Sequence, residues 1–212
     1  MKAERRVAMR VPRHIGIIPD GNRRWAKKSE LQKEEGYDHG LDPGLRLLKA
    51  AQELGVQEIT YYGFTVDNCK RPEKQVLAFQ KACVDAVRLI EGENVDLYVI
   101  GNTESKFFPQ ELLPYTQRKQ TVSAAPVRVN FLVNYGWEWD LRKGFGFLRS
   151  QSISRIDMII RWGGMRRLSG FLPVQSVYAD FFVVDEMWPD FQEEQFNRAI
   201  LWYQKQDVTL GG

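Results

Sequence analysis

HIGIIPDGNRRW, residues 14–25, reads as a buried strand that stops abruptly and turns into a helix. His14–Pro19 is short, rich in Ile and closed by a Pro-Asp-Gly-Asn cluster. An apolar run without alternation is what a strand covered on both faces shows. The same pattern recurs at Glu58–Phe64, Asp96–Gly101, Val127–Asn134 and Asp157–Arg161. Between these runs, Leu45–Leu54 is amphipathic and stops at Gly55. Pro72–Glu91 carries Val76, Phe79, Cys83, Ala86, Val87 and Ile90 near helical spacing, with Pro72 and Glu73 suited to a first turn. Glu194–Gln204 reads as a closing helix. Strands alternating with helices predict a single α/β domain on a central, mostly parallel sheet flanked by helices. Leu141–Ser154 reads as the flexible loop, and no repeat or linker divides the chain.

Composition sets the outer bounds. The chain has 212 residues, 43% of them hydrophobic, enough for one ordinary core. A net charge of +3 is too mild for a general nucleic-acid binder. Two Cys and two His exclude a disulfide scaffold and a His-rich metal site. No apolar run is long enough to span a membrane. Residues 1–13 form a basic extension, with Arg5, Arg6, Arg10 and Arg13 but no apolar signal core, so a cytoplasmic setting is expected.

Ligands of parallel α/β sheets bind beyond the C-terminal strand ends, which directs attention to the segment after each strand. Three exits stand out. Asp20-Gly21-Asn22-Arg23-Arg24-Trp25 offers backbone N–H groups and two guanidinium groups to a phosphate. Asp20 beside them would repel that phosphate unless a Mg²⁺ ion bridged the two. The plainer alternative makes Asp20 or Asn22 a helix N-cap. Thr65-Val66-Asp67-Asn68-Cys69-Lys70-Arg71 again supplies a hydroxyl, an amide and two cations before a helix, and its plainer reading is a capped, solvated loop. Cys69 lacks a nearby His and reads as inert. Arg161-Trp162-Gly163-Gly164-Met165-Arg166-Arg167-Leu168-Ser169-Gly170 is a concentrated anion cradle, because Arg matches phosphate oxygens bidentately. Asp180 is a further carboxylate candidate. No GxxxxGK[ST] loop and no Ser-His-Asp set is evident, which points away from nucleoside triphosphatases and serine hydrolases.

These segments resemble the cis-prenyltransferase family, the undecaprenyl diphosphate synthases among them. The resemblance rests on HIGIIPDGNRRWAKK (14–28), FTVDNCKRP (64–72), VNYG (133–136), IIRWGGMRRLSGFLPVQSVYADF (159–181) and EMWPDF (186–191), in family order and spacing. It implies a Mg²⁺-dependent transferase over residues 14–212 that joins isopentenyl diphosphate to an allylic diphosphate, farnesyl or shorter. The product carries a new Z double bond, and pyrophosphate is released. By the same resemblance Asp20 acts through Mg²⁺, which Asp180 also holds, and Asn68 assists proton removal. Gly21, Asn22, Arg23 and Arg24 cradle the allylic diphosphate, while Trp25 packs along the prenyl chain. Lys33, Tyr37, Thr65, Val66, Asp67, Cys69 and Arg71 line the same region. Arg161, Arg167, Leu168 and Ser169 belong to the isopentenyl diphosphate site. The aliphatic face of Pro72–Glu91 is a candidate wall for an apolar tunnel.

Departures from the family pattern are Tyr37 for His, Lys33 for Arg, Cys69 for Trp, Met165 for Glu and Asp180 for Glu. The stretch between Gly136 and Arg161 is shorter than usual, and Gly211-Gly212 resembles a tail seen in part of the family. The alternatives are a short-chain or head-to-middle synthase and a non-catalytic partner subunit of such an enzyme. Retention of Asp20 speaks against the last. A homodimer, at most peripheral membrane contact and no nucleic-acid partner complete the expectations.

Overall fold

β1 (His14–Ile18) lies inside a six-stranded sheet of order β3-β4-β2-β1-β5-β6, every pairing parallel. The computed structural model describes residues 10–117, 127–141 and 147–207. Most of the basic extension, part of Leu141–Ser154 and the Gly211-Gly212 ending lie outside these residues. β2 (Glu58–Tyr62), β3 (Val95–Ile100), β4 (Val127–Leu132) and β5 (Met158–Arg161) fall where the apolar runs predicted them, and β6 (Asp180–Val183) is an additional edge strand. The helices are α1 (Asn22–Lys28), α2 (Leu41–Glu53), α3 (Glu73–Glu91), α4 (Trp137–Leu141) and α5 (Glu193–Tyr203). α2 begins earlier than its amphipathic stretch because Pro43 sits in its first turn, where no donor is lost. It ends as predicted, with Gly55 at φ +80° just beyond.

The two sheet faces are covered differently. Ile15, Ile17, Ile59, Tyr61, Val129, Phe131, Met158 and Ile160 pack against Leu47, Leu48 and Ala51 of α2, Val84 and Val87 of α3, and Phe196 and Ile200 of α5. Ile18, Tyr62, Leu132 and Ile159 on the other face meet Tyr135, Ile153, Ile156, Phe171 and Leu172, which lie largely on irregular backbone. Gly16 makes that approach possible: a Cβ there would stand 2.5 Å from the Phe171 ring. Each fully buried large apolar side chain contributes roughly 1.5–3 kcal/mol relative to exposure.

The second face also carries a polar network at the N-terminal rim of the sheet. His14 Nε2 meets Thr60 Oγ1 at 2.8 Å, Asn130 donates to Glu58 at 2.8 Å and to Thr60 at 2.9 Å, and Ser154 donates to Glu58 at 2.6 Å. His14, Glu58, Thr60 and Asn130 are all buried, so these pairings are what makes their burial tolerable. Leu141–Ser154, expected to be flexible, is tied down in its described part. Buried Asp140 accepts Ser150 N–H at 2.8 Å, Ser150 Oγ–H at 2.6 Å and Tyr135 O–H at 2.7 Å.

Candidate active site

β1 is flanked by β2 on one side and β5 on the other, so the chain departs from it in both directions across the sheet. That arrangement opens a crevice at the C-terminal strand ends. The three segments singled out in the sequence leave β1, β2 and β5 there. They line one cleft of about 660 Å³.

Gly21 caps α1 with φ +108°, a conformation that favours glycine and turns the chain sharply out of β1. Gly163 (φ +83°) and Gly164 (φ +74°) do the same beyond β5. The two turns face each other. A Cβ on Gly163 would stand 2.5 Å from Arg24 Nη2 and 3.1 Å from the Asp20 carbonyl oxygen, so only glycine lets them approach. Arg24 Nη2 donates to Gly163 O at 2.8 Å. Arg161 Nη2 donates to Asp20 Oδ2 at 2.8 Å, while Gly21 N–H holds Asp20 Oδ1 at 2.6 Å. Arg161 Nη1 is held by Ser169 Oγ at 2.9 Å and by the Arg167 carbonyl. Arg161 is 4% exposed, and a guanidinium so buried persists because Asp20 and these acceptors pair it.

The remaining cations are also aimed by neighbours. Arg23 Nη1 donates to Gln75 Oε1 at 3.2 Å from the start of α3. Arg71 Nη1 donates to Tyr37 Oη at 2.9 Å. The Tyr37 ring stacks on Phe79 with centroids 4.4 Å apart and planes 5° from parallel. Burial raises the Tyr37 hydroxyl pKa, so it stays a neutral phenol near pH 7. Asn68 Oδ1 accepts the Thr65 N–H at 2.9 Å, which leaves the amide NH₂ as the group Asn68 can present to the cleft. Arg23, Arg24, Lys27, Lys33, Arg71, Arg161 and Arg167 line the cleft against Asp20 and Asp67. This cation excess, set on fixed backbone, can hold two polyanionic groups side by side.

Gly21, Asn22, Tyr37, Thr65, Asn68 and Ser169 line the same cleft. Five residues singled out in the sequence are not among its lining. Trp25 instead donates to Asp190 Oδ1 at 2.7 Å and lies 4.6 Å from the His39 ring. Val66 packs over Gly136, and Leu168 packs with the second-face core. Cys69 Sγ lies 3.5 Å from Asn134 Oδ1, and burial raises its pKa, which disfavours the thiolate. Asp180 lies elsewhere in this chain. It opens β6, beside Met158, whereas Arg161 pairs with Val183 at the other end. Three strand steps separate it from the cleft rim by about 10 Å. It faces Arg10 at 3.7 Å. Asp20 and Asp180 of one chain therefore lie toward opposite ends of the sheet, and no cluster of three or more His, Cys, Asp or Glu side chains occurs among the described residues.

Sequence reasoning missed Gln75 and Trp188 as parts of this neighbourhood, whereas Phe79 lies on the α3 face expected to wall a tunnel. Trp188 donates to Gly40 O at 2.8 Å and fixes the turn that carries Tyr37. A second, apolar chamber of about 80 Å³ joins the cleft through shared Pro19, Asn22, Tyr37, Gly63 and Phe79. α3 lines it with Ala82, Cys83, Ala86 and Ile90, as its aliphatic face predicted. No helix among the described residues is long and apolar enough to cross a membrane.

Comparison with known proteins agrees with this geometry. The prenyltransferase family model, described as undecaprenyl diphosphate synthase, matches residues 18–148 and 145–211. An isoprenyl transferase of Neisseria gonorrhoeae is 31% identical over 95% of this chain and 90% of its own length. The ditrans,polycis-undecaprenyl-diphosphate synthase of Haemophilus influenzae, named as specific for (2E,6E)-farnesyl diphosphate, is 29% identical over 95% of this chain and 96% of its own. The crystal structure of lavandulyl diphosphate synthase from Lavandula x intermedia, in complex with dimethylallyl diphosphate, superposes with a TM-score of 0.77. It is 22% identical, covering 95% of this chain and 98% of that one. With its motifs converging on one crevice and residues 18–211 matched by the family model, the chain belongs to the cis-prenyltransferase family of the undecaprenyl diphosphate synthase type, enzymes that transfer prenyl groups.

Proposed function

We propose that this protein condenses isopentenyl diphosphate with an allylic diphosphate, farnesyl or shorter, in a Mg²⁺-dependent reaction that leaves a Z double bond. The observation that carries the reading is the meeting of two arginine-bearing glycine turns across Asp20, with Arg161 2.8 Å from its carboxylate and Arg24 2.8 Å from Gly163 O. In the reaction the allylic C–O bond breaks, and the freed carbon bonds to the terminal alkene carbon of isopentenyl diphosphate. A neighbouring carbon then loses a proton, and pyrophosphate departs. Arg23, Arg24 and the α1 N–H groups hold the departing pyrophosphate, and its developing charge is stabilised by several kcal/mol in a site that excludes water. Arg161, Arg167 and Ser169 hold the second diphosphate. Asn68 directs its NH₂ at that diphosphate and so steadies the oxygen that takes the proton. The apolar chamber keeps water from the allylic cation.

Asp20 suits Mg²⁺, since this ion commonly takes one or two carboxylates and completes its shell with substrate phosphates and water. A bound Mg²⁺ would neutralise diphosphate charge beside the Asp20 carboxylate. The family match supports a pair of prenyl diphosphates as substrates. A homodimer is proposed through the exposed apolar Val174, Val177 and Tyr178, a grouping costly to leave wet. The cytoplasm, with at most peripheral membrane contact, is the proposed location. The test is incubation with isopentenyl diphosphate, Mg²⁺ and dimethylallyl, geranyl or farnesyl diphosphate in turn, with chromatography of the products. A Z-prenyl diphosphate from at least one primer is expected, and none from any primer overturns the reading.

A further inference from the structure

Among the described non-glycine residues, Glu30, Asn134, Ser169 and Leu172 have positive φ, and of these Ser169 alone lines the cleft. Its φ of +53° lies in the left-handed region, which a residue with a side chain keeps only when its surroundings enforce it. Gly170 follows at φ +80°, so two left-handed residues stand in succession. Ser169 is held at both its side chain and its backbone. Arg161 Nη1 donates to Ser169 Oγ at 2.9 Å, and the Tyr62 hydroxyl donates to the Ser169 carbonyl oxygen at 2.8 Å. Tyr62 is the last residue of β2, opposite Leu132 of β4, and it lines the cleft. The ring centroids of Phe171 and Tyr135 lie 5.2 Å and 6.3 Å from its own, so a packed, buried ring aims the hydroxyl. Burial, and after it the negative charge of Asp67, raises the Tyr62 pKa, so the phenol keeps the proton that it donates. The turn also meets α4, since a Cβ on Gly170 would stand 2.7 Å from Trp137 Cδ1.

Resting on the prenyl-transfer reading above, we infer that Tyr62 is a positioning residue for the second diphosphate: by holding the Ser169 carbonyl it keeps Ser169 Oγ and Arg161 aimed into the cleft. Without that bond the turn relaxes toward the negative φ that an L-residue prefers, and Ser169 Oγ leaves its place beside Arg161. Arg23 and Arg24 are held by other partners, Gln75 and Gly163 O, so the effect is confined to one substrate. The test compares wild type, Tyr62→Phe, Ser169→Ala and the double variant. It uses steady-state kinetics with Mg²⁺ and the best primer among dimethylallyl, geranyl and farnesyl diphosphate, and calorimetric titration with isopentenyl diphosphate alone. Tyr62→Phe keeps the ring against Phe171 and Tyr135. It is expected to raise KM and Kd for isopentenyl diphosphate about fivefold, while KM for the primer moves less than about twofold. On the Ser169→Ala background the same change should add less than about twofold, because the hydroxyl it positions is gone. A merely structural phenol would lower the urea midpoint without this selectivity or this coupling. Equal shifts for the two substrates, unchanged constants, or a full effect on the Ser169→Ala background overturn the inference. So does a Tyr62→Phe chain that does not fold, which makes the phenol a structural support. If only the double variant fails to fold, the selectivity of Tyr62→Phe decides. Wild type that forms no prenyl product yet binds isopentenyl diphosphate in a Tyr62-dependent way brings down the transferase reading and leaves the positioning role standing. Wild type that does neither brings down both.

Discussion

The two rims of the sheet are both polar, and they behave oppositely. At the N-terminal rim, His14, Glu58, Thr60, Asn130 and Ser154 satisfy one another, and the adjoining surface hollow measures about 850 Å³. At the C-terminal rim the cleft is smaller, about 660 Å³, yet its cations outnumber its carboxylates. Size does not distinguish a site from a hollow here. The difference is that one rim closes its polar groups internally, while the other presents charge and N–H groups that only a ligand completes.

The sharpest way to break this contrast is to exchange activity for stability between the rims. Asp20→Asn keeps side-chain volume and an acceptor for Arg161. It should lower kcat by about a hundredfold to a thousandfold, with a modest fall in the urea midpoint because Arg161 keeps an acceptor but loses its counter-charge. A variant that unfolds instead would make Asp20 a structural anchor. Glu58→Ala should do the reverse, stranding the Asn130 and Ser154 donors and costing about 2–4 kcal/mol in denaturant unfolding. Turnover per folded molecule should stay at the wild-type value, and a parallel loss of turnover would erase the division between rims.

A gentler probe is pH. Burial lowers the His14 pKa from 6.5, because the uncharged imidazole is favoured in the dry rim. The unfolded chain then binds the proton more readily. Stability from this group is full above pH 6.5 and is lost as pH falls through that value toward the depressed folded pKa. Urea midpoints from pH 8 to pH 5 should fall, and His14→Gln should flatten the curve. An unchanged slope would show that His14 does not set it. The smallest expected effect is at the cleft itself. Tyr37→Phe keeps the stack on Phe79 but removes the acceptor of Arg71, a loss of about 1 kcal/mol. It should raise KM for a diphosphate substrate roughly fivefold with kcat nearly constant. Tyr37→His, which restores a ring-nitrogen acceptor, should recover part of the loss.

Most of the fold is legible in the chain because five strands are short runs rich in Ile, Val and Tyr and the flanking helices are amphipathic. Residues 14–25 show the strand exit, the left-handed Gly21 and the start of α1. β6 is harder to read. Asp180–Val183 is a four-residue edge strand, so short that its apolar Phe181-Phe182-Val183 run does not by itself separate strand from loop, and it pairs in parallel with β5. The same blind spot explains Asp180: its motif is visible, but its end of the strand is not. Gln75 and Trp188 escape a reading of the chain for a related reason, since each acts by touching a residue far away in sequence.

The local chain, by itself, determined the strands, the glycine turns and which residues carry cationic or carboxylate chemistry, since backbone conformation and side-chain charge are properties of short segments. Tertiary structure alone decided that the exits of β1, β2 and β5 meet at one crevice, that Asp180 lies toward the far rim, and that Tyr61 and Phe131 line the apolar chamber. Those outcomes depend on strand order and on packing between segments tens of residues apart, which no single stretch encodes.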